Sequence, residues 1–418
     1  MLKKYVAGGG SFPQSLTIQP LFSLEVFPWK WYFLPVYMAN KRVLLFYITE
    51  SSGHHVAARA IETGVRHLDR AARVLSVDSF RFTNPILERV VRKTYLQVIK
   101  NTPEIWDWLY DNSEFKEGTN HFRKLIHKLN SLKLKKLIAE EKPDVIVCTQ
   151  AFPCGTISDY KKTEKADIPL IAVVTDFAAH SYWIYDNVDV YIVPTVEVRE
   201  CLIDHGIARE KVKVLGIPIN PAFNETVDRD ASRRHFGLLP DLPAVLIMGG
   251  GLGLGPIKDI VKQIDKIDQP FQIVVATGIN RMLKRSLDRK AGRMAKPIQV
   301  LGYVHAMNEL MSASDILVTK PGGLTTSEAF AMNLPLVIVN PIPGQETKNA
   351  DFLIRKRAAV TADNSEMVAS TVADLLKYPA KLKLMRENAK HLSRPDSALA
   401  IAREVLRFKH VSAAVAAE

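Results

Sequence analysis

The 418-residue chain is poor in cysteine. Cys148, Cys154 and Cys201 are its only three, and no two of them form a C-x-x-C pair. Three thiols exclude a disulfide framework and suit a reducing compartment. Long apolar runs are missing as well: none reaches the roughly 18 residues that a membrane-crossing helix requires. Neither a zinc-finger spacing nor an RNA-recognition signature is present, which argues against nucleic acid as a partner. A formal net charge of +12 still asks for an anionic partner, leaving an acidic membrane surface or phosphorylated substrates. The triplet Asp-x-Asp, a familiar metal-binding device at strand ends, occurs once, as Asp228-Arg229-Asp230. It lies in a charged stretch of helical pattern, where a solvated surface is the expected fate. His54 and His55 are adjacent and have no third histidine within helical reach, which is not a metal-ligand spacing. No metal and no cofactor is expected.

What is present describes a globular protein: 47% hydrophobic and 24% charged residues, in a chain long enough for two or three domains. Residues 41–49, 74–77, 145–148, 170–174, 190–193 and 212–215 read as apolar strands alternating with helical patterns, the signature of a buried parallel sheet. Gly216-Ile217-Pro218-Ile219-Asn220-Pro221 reads as a linker, and the alternation then restarts with strands at 244–248, 272–276, 298–301, 315–318 and 336–339. The expected fold is therefore α/β, with two Rossmann-like domains, 38–217 and 218–390, and a C-terminal helix over 391–418. Residues 1–37 mix Gly8-Gly9-Gly10 with Phe27-Pro28-Trp29-Lys30-Trp31-Tyr32-Phe33-Leu34-Pro35. A start assigned upstream of Met38 is the preferred reading of that extension, ahead of a membrane-interface anchor or an unremarkable tail.

The most informative stretch is 319–351. A strand runs into Lys320-Pro321-Gly322-Gly323 and then Thr325-Thr326, followed by a helical pattern with Glu328 in its first turn. Glycines admit a phosphate close to the backbone, and a helix N-terminus offers unpaired N–H groups and a positive dipole end. A carboxylate at Glu328 suits two ribose hydroxyls. After the next strand, Gln345, Glu346 and Asn349 supply hydrogen-bonding groups for a polyhydroxylated ligand. Gly249-Gly250-Gly251, also between strand and helix, offers a second close approach to phosphate, and Asn280 follows the neighbouring strand. Asp176 ends a strand, aimed at a cleft rather than a core; it is the first candidate for a general base, with His54 second.

These segments resemble the sugar-nucleotide half of glycosyltransferases that include monogalactosyldiacylglycerol synthase, processive diacylglycerol glucosyltransferase and the peptidoglycan N-acetylglucosaminyltransferase. The resemblance to the diacylglycerol branch extends to Ser52-Gly53-His54-His55 and to Thr175-Asp176-Phe177 with His180 and Trp183. It implies a GT-B fold, the two domains facing across a cleft. It also implies that Gly302, Tyr303 and Val304 meet the uracil, that Glu328 holds the ribose, and that Gln345 and Glu346 read the hexose. Gly53, His55, His180 and Trp183 would then form the acceptor rim, and Lys320 would help to stabilise the leaving diphosphate.

The implied reaction is inverting, metal-independent transfer of galactose or glucose from a UDP-sugar to diacylglycerol, by an enzyme peripheral to the cytoplasmic face of the membrane. Residues 81–136 fit that surface: Phe82, Ile86, Leu87 and Tyr95 alternate with Arg81, Arg89, Arg92 and Lys93, ahead of Trp106 and Trp108. A core helix with a solvated basic face is the plainer alternative. A polyprenyl-linked acceptor, a UDP-sugar epimerase on the same fold and a non-catalytic UDP-sugar-binding regulator are the competing functions.

Overall fold

The computed structural model describes residues 40–50, 52–83, 133–178, 181–342 and 344–408. The extension 1–37, most of the basic aromatic stretch and His180 therefore lie outside the described residues.

Among the described residues, twelve strands form two six-stranded parallel sheets. The first contains β1 (Arg42–Tyr47), β2 (Arg73–Asp78), β3 (Val145–Cys148), β4 (Leu170–Val173), β5 (Val190–Val193) and β6 (Val212–Val214), in the order β2-β1-β3-β4-β5-β6. The second contains β7 (Ala244–Met248), β8 (Gln272–Ala276), β9 (Ile298–Leu301), β10 (Ile316–Thr319), β11 (Leu336–Val339) and β12 (Ala359–Ala362), in the order β12-β11-β10-β7-β8-β9. Each sheet reverses its winding once, between β1 and β3 in the first and between β7 and β10 in the second. Ligands of open α/β sheets bind at such reversals, beyond the carboxyl ends of the strands. The two reversals therefore fix where a site can be.

Both sheets are covered on both faces, which explains why strands such as VIVC and ILVT have no polar alternation. On the first sheet, one face packs Ile157, Trp183 and Tyr191. The other is covered by α1 (Gly53–Leu68) and by a helix from far along the chain, α6 (Ser397–Arg407). Ser52 caps α1 by accepting from the His55 amide, and Ala57, Ala60, Ile61, Gly64 and Val65 form its buried stripe. At Gly64 the two helices come so close that a Cβ there would lie 2.7 Å from the Ala398 carbonyl oxygen. Ser397 Oγ donates to the Ile217 carbonyl at 2.8 Å and accepts from the Ile219 amide at 3.3 Å, and Glu404 pairs with Lys213. The C-terminal helix begins later than the sequence pattern suggests. It starts at Ser397, after a break that follows a separate helix, Pro379–Leu392.

The triplet at 228–230 begins a helix, α2 (Arg229–His235). The Asp228 carboxylate caps it, accepting from the amides of Asp230 and Ala231 at 2.9 and 3.1 Å.

Candidate active site

At the reversal of the first sheet, β1 leads into Ser52-Gly53-His54 and β3 into Thr149. His54 Nδ1 lies 2.9 Å from the Thr149 carbonyl oxygen and 3.0 Å from Thr175 Oγ1. A carbonyl only accepts, so Nδ1 carries the proton and Nε2 keeps its lone pair. The Thr149 hydroxyl donates back to the His54 carbonyl at 2.8 Å, locking the pair. Burial lowers the His54 pKa to about 4, so the ring is neutral at physiological pH. His55 points the other way and stacks on Tyr47, ring centroids 4.4 Å apart. Gly53 is exposed at the mouth, 3.5 Å from Leu324 of the second domain for a Cβ placed there.

Asp176 ends the segment that follows β4 and is only 5% exposed. Burial pushes its pKa up to about 7, aided by the nearby Glu346 charge and opposed by Asn349 and Lys320. The next residue, Phe177, enters the core of the second domain and stacks on Phe352 with centroids 5.2 Å apart. An aromatic beside a polar strand end, as Phe177 is, carries no local sign of which core it will join.

At the reversal of the second sheet, β7 leads into Gly249-Gly250-Gly251 and β10 into Lys320-Pro321-Gly322. Gly250 takes φ +68°, open to glycine at little cost, and a Cβ there would lie 4.0 Å from the Lys320 side chain. The two loops are therefore neighbours. Helix α4 (Gly323–Ala331) begins at Gly322 without a side-chain cap, leaving its first amides open toward the loops. Glu328 is half-buried on that helix, and among the described residues no hydrogen bond reaches its carboxylate. Burial raises its pKa to about 8. Thr325 is half-buried beside it. Gly302, Tyr303 and Val304 follow β9; Tyr303 is 57% exposed and Val304 packs on the core, so this rim offers an aromatic ring to solvent.

Several residues expected to touch a ligand are engaged by the protein instead. Trp183 is 1% exposed in the core of the first domain, not on an acceptor rim. Thr326 is fully buried, its hydroxyl without a partner among the described residues. A Cβ on Gly323 would overlap the Thr175 carbonyl oxygen, so this glycine serves the contact between domains rather than a phosphate. Asn280 caps α3 (Arg281–Ala291), accepting from the Leu283 amide at 3.0 Å, and clamps Gly253. Glu346, in the first turn of α5 (Gln345–Arg355), accepts from Lys320 at 2.6 Å and from the Ile342 amide at 3.0 Å. Gln345 remains half-buried at the head of that helix. Asn349 is fully buried. Its Nδ2 donates to Asp176 Oδ1 and to the Pro321 carbonyl, both at 3.1 Å, and its Oδ1 accepts from the Phe177 amide at 2.8 Å.

The arrangement joins a neutral imidazole and a carboxylate of shifted pKa to two glycine-bearing loops, an open helix N-terminus and Glu328, an acid without a hydrogen-bond partner among the described residues. Comparisons with known proteins bear on the family and the fold. Residues 54–219 match the family described as monogalactosyldiacylglycerol (MGDG) synthase, and 244–405 match the glycosyltransferase family 28 C-terminal domain. The chain is 32% identical over 374 residues to the processive diacylglycerol beta-glucosyltransferase of Bacillus subtilis (strain 168), covering 88% of this chain and 95% of that one.

The chain belongs to the diacylglycerol glycosyltransferase family.

The family's member from Bacillus licheniformis is 30% identical, with 89% and 96% of the two chains covered. Among solved structures, Acinetobacter baumannii MurG superposes with a TM-score of 0.60 at 16% identity, over 88% of this chain and 99% of that one. A UDP co-structure of Staphylococcus aureus MnaA gives 0.59 at 15% identity, over 87% and 96%. The fold of this family member is accordingly GT-B, with its two reversals turned toward one cleft.

Proposed function

We propose that this protein transfers galactose or glucose from a UDP-sugar to diacylglycerol with inversion and without a metal ion, while peripherally bound to an anionic membrane surface on the cytoplasmic side. The observation that carries the reading is the meeting of Asp176 with the Lys320–Gly322 loop at the junction of the two sheets. In the proposed step, the acceptor hydroxyl oxygen bonds to the anomeric carbon as the bond from that carbon to the β-phosphate oxygen breaks. The hydroxyl proton passes to Asp176, whose pKa near 7 suits a base working at neutral pH. His54 Nε2 stands ready to accept a hydrogen bond from the acceptor. The leaving UDP gathers charge where the open amides of α4 and the Lys320 ammonium are placed. Glu328 receives the ribose hydroxyls, and Tyr303 flanks the base.

The names of the relatives support diacylglycerol as acceptor, and the net charge of +12 supports an anionic surface. No helix of the described residues is long and apolar enough to cross a membrane. Among those residues no group of three or more His, Cys, Asp or Glu is placed to hold a metal ion, and Asp228 is occupied as a helix cap.

The test is purified protein with anionic liposomes containing diacylglycerol and radiolabelled UDP-glucose or UDP-galactose, with Asp176→Ala and Glu328→Ala beside it. Label entering the organic phase from one donor, and lost in both variants, is the expected result. No label from either donor, with UDP still bound, would retire diacylglycerol in favour of a polyprenyl acceptor. An isomerised sugar nucleotide would instead identify an epimerase.

A further inference from the structure

The sequence pattern predicts a donor contact for Asn349, yet its side chain has no solvent exposure at all and makes three hydrogen bonds within the protein. Its three partners come from two domains. Asp176 and Phe177 belong to the first, 173 and 172 positions away in sequence, and Pro321 to the second. All three sit at working points. Asp176 is the proposed base, Phe177 is the aromatic anchor beside it, and Pro321 follows Lys320 in the phosphate loop.

We infer that Asn349 is a positioning residue, fixing the rotamer of Asp176 and tying that carboxylate to the Pro321 end of the phosphate loop. Base and leaving-group site are thereby aligned as one unit.

The geometry leaves few alternatives for the amide. Oδ1 of Asn349 accepts from the Phe177 amide, so the Nδ2 end must face Asp176, where it donates. One carboxylate oxygen, Oδ1, is committed to that bond, which leaves Oδ2 to receive the proton. A donated hydrogen bond favours the ionised carboxylate, opposing the burial and the Glu346 charge that disfavour it; Lys320, paired with Glu346, acts in the same direction as Asn349. His54, bonded to Thr175 next to Asp176, is neutral above about pH 4. Removing Asn349 should therefore both loosen Asp176 and raise its pKa.

The inference rests on Asp176 being the base, and the experiment separates the two. Wild type, Asp176→Asn, Asn349→Ala, Asn349→Asp and the double variant Asp176→Asn/Asn349→Ala are assayed with saturating donor and diacylglycerol liposomes between pH 5 and 9. UDP and UDP-hexose affinities are measured by calorimetry, and unfolding midpoints are recorded. Asn349→Asp keeps the volume and the acceptor for the Phe177 amide, and so covers the case in which Asn349→Ala does not fold. The expected result is a fall in kcat of about 100-fold or more, with affinity for UDP and UDP-hexose changed less than about 3-fold. The acidic limb of the kcat profile should move to higher pH in both single variants at 349, and Asn349→Ala should add no further loss in the Asp176→Asn background. A weakened UDP-hexose affinity with unchanged UDP affinity, and an unmoved acidic limb, would make Asn349 a sugar contact and overturn the inference while leaving the base in place. Full activity in Asp176→Asn would overturn the base itself, and with it any role of Asn349 exerted through Asp176.

Discussion

His54 Nδ1 faces the Thr149 carbonyl oxygen at 2.9 Å, joining the loops that follow β1 and β3 across the reversal of the first sheet. This bond assigns the tautomer, while burial, which lowers His54 and raises Asp176, sets the two candidate bases apart in pH behaviour. His54, at about 4, is deprotonated throughout the neutral range, whereas Asp176, at about 7, is only partly so.

Activity should therefore rise as pH increases through about 7, because Asp176 must lose its proton to work, with no inflection near 4. A kcat/KM profile from pH 4 to 9 tests this. Asp176→Ala should cost about 10²–10⁴-fold. His54→Ala should cost less, with the limb unmoved. A limb near 4 would exchange their roles.

Glu328 predicts proton-linked donor binding. Its carboxyl, at about 8 without ligand, is mostly protonated at pH 7, and hydroxyl donors favour the ionised form. UDP binding should release protons at neutral pH, and affinity should grow as pH rises toward 8. Calorimetry in two buffers of different ionisation enthalpy counts the protons. Glu328→Gln should abolish the release and weaken UDP about 10-fold or more, the loss of one or more charge-assisted hydrogen bonds.

Gly322 and Gly323 should fail in different ways. A Cβ at Gly323 meets the Thr175 carbonyl, whereas at Gly322 nothing lies within 4 Å and φ is −69°. Gly323→Ala should lower the unfolding midpoint by roughly 5 °C or more, by forcing the domains apart. Gly322→Ala should keep the midpoint and weaken UDP, the methyl group standing where a phosphate approaches. Thermal scans and UDP titrations of both variants check this.

Chelators should leave the rate unchanged. A transfer assay with and without excess EDTA, followed by addition of magnesium or manganese, measures it; a rate lost and then restored by metal would refute the cradle of amides and Lys320 as sufficient for the leaving group.

The sequence was most legible where local chemistry decides structure. Val145–Cys148, Val190–Val193, Ala244–Met248, Ile298–Leu301 and Leu336–Val339 are strands over the same residues that the apolar runs mark, because each run is bounded by polar residues, proline or glycine. The edge strand β12, with sequence AVTA, lacks such a run and passed unnoticed. In the candidate site, strand-end position brought Asp176, His54, Lys320 and Glu328 into view. Trp183 and Asn349 misled, since a residue type at a strand or helix end does not disclose whether its side chain faces a ligand or a partner nearly two hundred positions away. Thr149 was missed altogether: its importance lies in a carbonyl oxygen, a group every residue has.

The crossing of α6 onto α1 also bears on how the protein is made. Ile401, Ala402 and Val405 complete the core of a sheet whose first strand starts at Arg42. Ile61 and Val65 of α1 pack with the strands of their own sheet, but the core they share with α6 cannot close until residue 405 is available, long after those strands have been translated. Contacts of such sequence separation form late and slow folding. The first half of the chain therefore cannot complete its core until the end of the second has been made.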